Sequence, residues 1–284
     1  MRSLASRRRI DRLMVGAMIA AVLLAVVPLV FILIDVVAKG VGQLSGAFVT
    51  QPEPFAVTAP GGGFGAGVRG TIKMVALGTL VAVPIGVLAA VYLSEYQARG
   101  PLATTVRFFA DVMTGIPSIF VGIFVFSAVV LATHSFSSWA GGLALGILML
   151  PIIVRTSEEA LRLVPQQLRE ASLALGVRRW RTIASVVLPT ALPGITTGAL
   201  LAVARAAGET APLLLTAFGN QLLTGWGSWT GPEASLTLEI FNNSRSPFAA
   251  QQARAWTGAL VLIVGVLILS IIARAVVARR SRLS

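Results

Sequence analysis

The 284-residue chain has no cysteine and a single histidine, His134. The first absence excludes a disulfide framework and every thiolate metal site, and leaves the compartment unreadable from redox chemistry. The second excludes a histidine metal cluster. Charge is scarce as well: 12% of residues are Asp, Glu, Lys or Arg, against about 25% in a soluble globular domain. Paired carboxylates, a nucleophile beside a base and a metal cluster are all missing from any one face, which argues against a membrane-embedded enzyme.

What fills the chain instead is oil. Apolar residues make up 56% and the mean hydropathy is +0.85. About 20 apolar residues cross a hydrocarbon core roughly 30 Å thick. Six windows reach or approach that length, at residues 13–37, 68–93, 103–133, 139–154, 190–218 and 256–277. The expected fold class is therefore an all-α polytopic membrane protein with six membrane-spanning helices. The first window follows "MRSLASRRRIDR", as a signal peptide would. It is too long for a signal core and no small-x-small cleavage site follows closely, so it reads as a retained anchor. Residues 1–67 are then an anchor helix plus an outer loop, and 68–284 the main membrane domain.

The net charge of +12 invites a nucleic-acid reading until the charges are placed. With the N-terminus inside, the inner segments hold Arg2, Arg7, Arg8, Arg9 and Arg12, then Arg99 and Arg107, then Arg155, Arg162, Arg169, Arg178, Arg179 and Arg181, and finally Arg274, Arg279, Arg280 and Arg282. The outer segments hold Lys39, Arg69, Lys73, Arg245 and Arg254. This asymmetry predicts both termini in the cytoplasm of a multi-pass plasma-membrane protein. The basic pI reports topology and contact with anionic lipid, and no nucleic acid.

The outer loop contains Gly65-Ala-Gly67-Val-Arg-Gly70, a literal G-x-G-x-x-G. No strand precedes it and it lies on the wrong side for nucleotides, so the match is discarded. The sequon at Asn242-Asn-Ser244 carries little weight. In the later outer loop, "EASLTLEIFNN" predicts a few amphipathic turns. Pro28, Pro84, Pro117, Pro151, Pro193 and Pro212 mark kinks or ends of spans. Gly115, Gly122, Gly142 and Gly146 suit close helix approach. Thr114 and Ser118 flank Pro117 and either satisfy its freed carbonyl or line a pore. Trp139, Trp226, Trp229 and Trp256 are expected at the outer interface.

One stretch breaks the pattern. Between Arg155 and Pro189 the chain turns polar and basic, with "REASLALGVRRWRTIASVVLP" from Arg169 onward. Pro165 suits a first helical position and Gly176 the residue past a helix end. Val164, Leu168, Ala171 and Leu175 form one stripe along the first helix, and after Gly176 Trp180, Ile183 and Val187 form another. Two short helices meeting at a sharp bend are expected, with Pro189 stopping the second. On pattern alone, such a hairpin is either an interfacial anchor or a docking element.

Specific residues favour the second. Glu170-Ala171-Ser172, three residues, Gly176, nine residues and Val186-Val187-Leu188-Pro189 together resemble the EAA loop of ABC importer permeases, the MetI-like family, with Ser172 and Val186 as mild departures. In that family the loop's short helix docks on an ATP-hydrolysing subunit. The resemblance assigns Glu170, Ala171, Ser172 and Gly176 to that contact. The chain has no Gly-Lys dipeptide and hence no phosphate loop of its own, so ATP and Mg would sit on the partner and this chain would bind no cofactor.

Span five holds Arg205, Glu209 and Thr210, with Pro212 beyond. A charge near the bilayer centre costs about 2.5–3.5 kcal/mol on insertion scales and marks a pathway or a partner. Arg205 and Glu209 are four apart and can pair on one helix side, either to lock helix packing or to line a substrate path. An arginine fork suits an oxyanion. "RAAGETAPLLLTA" and "TGIPSIFVGIF" resemble the phosphate-specific branch of the same permease family, across all six spans. That resemblance implies a sister permease (PstC-like), a cytoplasmic ATPase pair (PstB-like), an extracytoplasmic phosphate-binding protein (PstS-like) and import by alternating access. A permease for molybdate or sulfate, and a secondary transporter, are the alternatives. Arg107 and Asp111, again four apart, are expected to stabilise the inner interface or to gate. Asp35 and Glu95 are expected as hydrated interface residues, and His134 has no assigned role.

Overall fold

The computed structural model describes residues 4–97, 100–220, 222 and 225–280, with side chains described for 10–275 among these. The basic residues Arg2, Arg7, Arg8, Arg9, Arg99, Arg279, Arg280 and Arg282 therefore lie outside the described side chains.

The regular elements among the described residues are helices, with longer non-helical stretches at 51–64 and 225–235. Helix α1 is Leu4–Gly40 and α2 Gly46–Thr50. Helix α3 is Gly65–Val91, continued by a π-turn over Tyr92–Tyr96. Helix α4 is Pro101–Gly115, and α5 is Ser118–Val125, prolonged through a π-turn into the short α6, Leu131–Thr133. Helix α7 is Ser138–Arg162, α8 Gln166–Ala174 and α9 Arg179–Thr182. Helix α10 is Leu188–Ala207, α11 Ala211–Thr216, α12 Leu236–Ser244 and α13 Ala249–Arg280.

Five of the resulting segments are long and apolar enough to cross a membrane: Ile10–Gln43, Gly65–Tyr96, Ser138–Arg162, Arg179–Ala207 and Ala249–Ala275. The expected third span differs. Helices α4 and α5 form a pair bent by 106°, which makes a broken span or a re-entrant loop. Pro117 has no N–H to continue α4, and it forces Ile116 into extended backbone at ψ 130°, as a residue before proline prefers. The expected fifth span is also divided: α10 ends at Ala207, and Gly208–Thr210 separates it from α11.

The core lies between α3, α7 and α10. Met74, Leu145, Met149 and Ile153 are fully buried there, packed with Ala202, Val203 and Ala206 of α10. Because lipid is as apolar as leucine, close packing has to hold such helices together. Gly78 and Gly146 allow it: a Cβ on Gly78 would meet the Gly142 carbonyl and the Gly146 nitrogen, each at 3.0 Å. Helix α1 touches the rest at its C-terminal end, where Thr257 donates to the Gly40 carbonyl at 2.8 Å and Lys39 lies over Trp256. Nearby, Asp35 pairs with Lys39 at 3.0 Å.

Isolated bridges between Ser137 and Thr230 and between Phe218 and Glu233 stitch down the segment before α12. Trp139 and Trp229 pack at 5.5 Å beside them. His134 takes a left-handed conformation at φ 51° and ends α6. The expected amphipathic turns are α12, and its residues Leu236 to Glu239 are buried.

Candidate substrate pathway and coupling hairpin

The polar interruption folds as a helix pair with one correction at each end. Pro165 is the residue before α8, rather than its first helical residue. Pro189 does not stop the second helix. A π-turn over Ile183–Val187 joins α9 to α10, and the wider turn carries the chain past a proline that has no N–H. Gly176 behaves as expected, with φ +78°. The Val177 N–H bonds the Ser172 carbonyl and the Gly176 N–H bonds the Leu173 carbonyl, the paired bonds of a left-handed helix stop. Ser172 Oγ meets Thr182 Oγ1 at 2.9 Å across the bend.

This hairpin is clamped to the π-turn that continues the C-terminal end of α3. Arg169 Nη2 donates to Glu95 Oε1 at 2.7 Å and Nε to Oε2 at 3.2 Å. Arg169 also donates to the carbonyls of Val164 and Leu161. Arg179 donates to the Glu95 carbonyl and lies over Tyr96. Glu95, expected as a hydrated interface residue, is half-buried and held in this clamp. Leu168, Glu170, Ala171, Leu175 and Gly176 remain exposed, so the predicted stripe faces outward once past Val164. A row of exposed apolar side chains beside small residues is what a docking surface presents.

Arg107 and Asp111 are joined through α7 rather than as the expected pair along one helix. Arg107 binds Glu158 at 2.7 Å and the Leu93 carbonyl at 3.0 Å, while Arg155 binds Asp111. Glu158, 2% exposed, also takes Arg162 at 2.6 Å and Arg155 at 3.5 Å. Packing of α4 on α7 brings Glu158 within reach of Arg107, which sequence spacing alone does not reveal. The signal available in the sequence was the run Arg155, Glu158, Arg162, one acid between two bases at helical spacing.

Arg205 and Glu209 do meet, at 3.5 Å, but across the end of a helix. Arg205 lies in the last turn of α10, where the helix dipole favours a cation. Glu209 and Thr210 belong to the break that follows, with Thr210 at the start of α11. The Arg205 side chain is 52% exposed and that of Glu209 17%. Thr237 of α12 donates to the Glu209 carbonyl at 2.9 Å and holds the break in place. An open ion pair of this length is worth little, and the Arg205 guanidinium is left half exposed.

Two of the charges that the sequence pattern assigns to outer segments are buried. Lys73 is buried and pairs with Glu233 at 2.7 Å, beside Ser138 and the Ser228 carbonyl. Arg254 is fully buried and pairs with Glu53 at 3.5 Å. Both are drawn in by partners far along the chain.

Comparison with known proteins follows the same lines. Residues 82–282 match the family described as binding-protein-dependent transport system inner membrane component. The chain belongs to this family. The permease resembles the phosphate transport system permease protein PstA of Yersinia pestis, 42% identical over 96% of this chain and 92% of that one. The PstA of Haemophilus influenzae is also 42% identical, over 94% of each chain. PstA 1 of Mycobacterium tuberculosis H37Rv is 40% identical over 99% of this chain and 93% of its own. Among solved structures, the inward-facing MetNI methionine ABC transporter aligns with a TM-score of 0.60 at 22% identity, covering 76% of this permease and 96% of that chain. That likeness speaks to fold. The permease is thus a multi-pass membrane subunit of an ABC transport system and is not itself catalytic.

Proposed function

We propose that the permease forms one membrane half of an ATP-driven phosphate importer in the plasma membrane, with both termini cytoplasmic. The observation that carries this reading is the half-open Arg205 guanidinium at the break between α10 and α11, in a chain whose relatives are phosphate permeases. A phosphate losing its water there gains paired, charge-assisted hydrogen bonds from the fork. Glu209 limits how tightly the anion is held, and Thr210 lines the same break. A PstC-like sister permease supplies the other half, and a PstS-like binding protein delivers phosphate from outside. A PstB-like ATPase pair holds ATP and Mg2+ and docks on the face of Glu170, Ala171, Ser172 and Gly176.

In this scheme the hairpin is a lever. Closure of the ATPases moves α8, the Arg169–Glu95 clamp passes the motion to α3, and the Arg107–Glu158–Arg155–Asp111 network carries it to α4 and α7.

The test is uptake of labelled phosphate by the complex reconstituted in vesicles. Uptake should require ATP on the hairpin side and should be insensitive to an imposed proton or sodium gradient. It should be abolished by Arg205→Ala while the subunits still copurify. Gradient-driven uptake without ATP would place the chain among secondary transporters, and stronger competition by molybdate or sulfate than by phosphate would reassign the anion. The absence of native cysteine makes orientation directly measurable: single cysteines placed at either terminus should react only from the ATP side.

A further inference from the structure

Outside the membrane-spanning helices, α12 holds a carboxyl group that the pathway does not use. Glu239 is 6% exposed, and neither of its oxygens has a well-formed hydrogen bond. It packs on the first turn of α3, where a Cβ at Gly67 would fall 2.1 Å from Oε2. With Glu53, Ser235 and Asn243 it lines a cavity of about 210 Å³.

The charges around it are committed elsewhere. Glu53, from the outer loop, accepts from Asn243 and Gln251, each at 3.3 Å, and pairs with Arg254 of α13. On α3, Lys73 pairs with Glu233, and Arg69 lies over Trp226. On α12, Arg245 lies over Phe241. At the α10–α11 break, Glu209 pairs with Arg205. Among the described residues of this region, the buried side-chain atoms that make no well-formed hydrogen bond are three acceptors, Glu239 Oε1 and Oε2 and Asn243 Oδ1, and one donor, Arg254 Nε.

A buried carboxylate has to be neutralised by a cation or by a proton. A metal cation needs several ligands, and among the described residues no group of three or more His, Cys, Asp or Glu side chains could hold one. A proton needs no room. It also turns one of the three acceptors into a donor, which balances the set. We propose that Glu239 is a proton-binding site, occupied at physiological pH, and that the bound proton lets α12 seat against the first turn of α3. Electrostatics agree with the geometry. Burial pushes the carboxyl up to about 9, Glu53 adds to the rise, and the Gly67 backbone N–H opposes it.

The site reaches the pathway through a short segment. Thr237, two residues before Glu239, holds the Glu209 carbonyl, so losing the proton loosens the support of the α10–α11 break. This consequence rests on the proposed transport pathway, whereas the proton itself does not.

The experiment is infrared titration of the purified full chain in lipid nanodiscs. Wild type should show a protonated-carboxyl band at neutral pH that is missing from Glu239→Gln and that disappears with a midpoint near 9. Identical spectra for the two proteins at neutral pH overturn the proposal. Wild-type thermal stability provides a reading that needs no variant: it should fall as pH rises toward 9, and a pH-independent midpoint, or one set instead by sodium, potassium or magnesium, overturns the proposal as well. In the reconstituted complex, wild-type uptake should drop about tenfold by one pH unit above the midpoint, in line with a group then about 90% ionised. Glu239→Gln should not show this drop. Equal decline in both, with the band present, removes the link to the pathway and leaves the proton site standing.

Discussion

Arg169 and Glu95 form a two-pronged ion pair, at 2.7 and 3.2 Å, between the hairpin and the C-terminal end of the second membrane span. With side chains 14% and 8% exposed, the pair is shielded from water and holds a fixed angle that a loop alone could not.

Replacing Arg169 with Ala leaves the Glu95 charge buried, a loss of about 3–5 kcal/mol for a pair of this kind. The thermal midpoint of the purified subunit should fall, and in the reconstituted complex ATP hydrolysis should continue with little phosphate uptake. Full uptake from this variant would show that motion reaches α3 by another route.

Gly176 sits at φ +78° with open space where a Cβ would point. Strain is therefore the whole cost of a side chain there, about 1–2 kcal/mol. Gly176→Val should weaken ATPase copurification and coupled uptake while leaving membrane assembly unchanged. Gly176→Asn should retain more of both, because Asn tolerates the left-handed region. Equal behaviour of the two variants would remove backbone conformation as the cause.

At Arg205, charge and shape can be separated. Arg205→Lys keeps the cation and loses the planar fork, so uptake should fall tenfold or more, mainly through KM, a difference of about 1.4 kcal/mol per tenfold. Arg205→Ala should abolish uptake. A lysine variant with wild-type kinetics would mean that only charge matters at this position.

Glu233→Gln leaves the Lys73 ammonium buried without its counter-charge and should cost about 3–5 kcal/mol. Lys73→Met with Glu233→Leu should recover most of that stability, since a well-packed apolar pair does not have to bury charge. Thermal unfolding of the three variants checks this, and an unaffected single variant would contradict the buried geometry.

The sign of the pH dependence follows from Glu239. Unfolded, its carboxyl titrates near 4.5; folded, near 9. Below 4.5 both states hold the proton and the group contributes nothing to pH dependence. Between these values the folded protein keeps a proton that the unfolded chain has released, so stability falls steadily with rising pH. Above about 9 the loss is complete. Scanning the thermal midpoint against pH should give a flatter profile for Glu239→Gln, and parallel profiles would refute the assignment.

The amino-acid sequence by itself determined the apolar segments, the clustering of basic residues between them and the bend at Gly176. Those depend on local quantities: the length of an oily run, the number of arginines between runs, and the backbone freedom of one glycine. The position of Arg205 four residues before Glu209 was legible on the same grounds. Tertiary structure decided the rest. It bent the third expected span at Ile116–Pro117 and ended the fifth after Ala207. It also divided Arg107 and Asp111 between partners on α7, drew Lys73 to Glu233 and Arg254 to Glu53, and closed Glu239 away from water. Lys73 and its partner are 160 residues apart, and Arg254 and Glu53 are 201 apart. A charge in a low-dielectric interior takes whichever counter-charge packing brings within a few ångströms, and sequence distance places no limit on that choice.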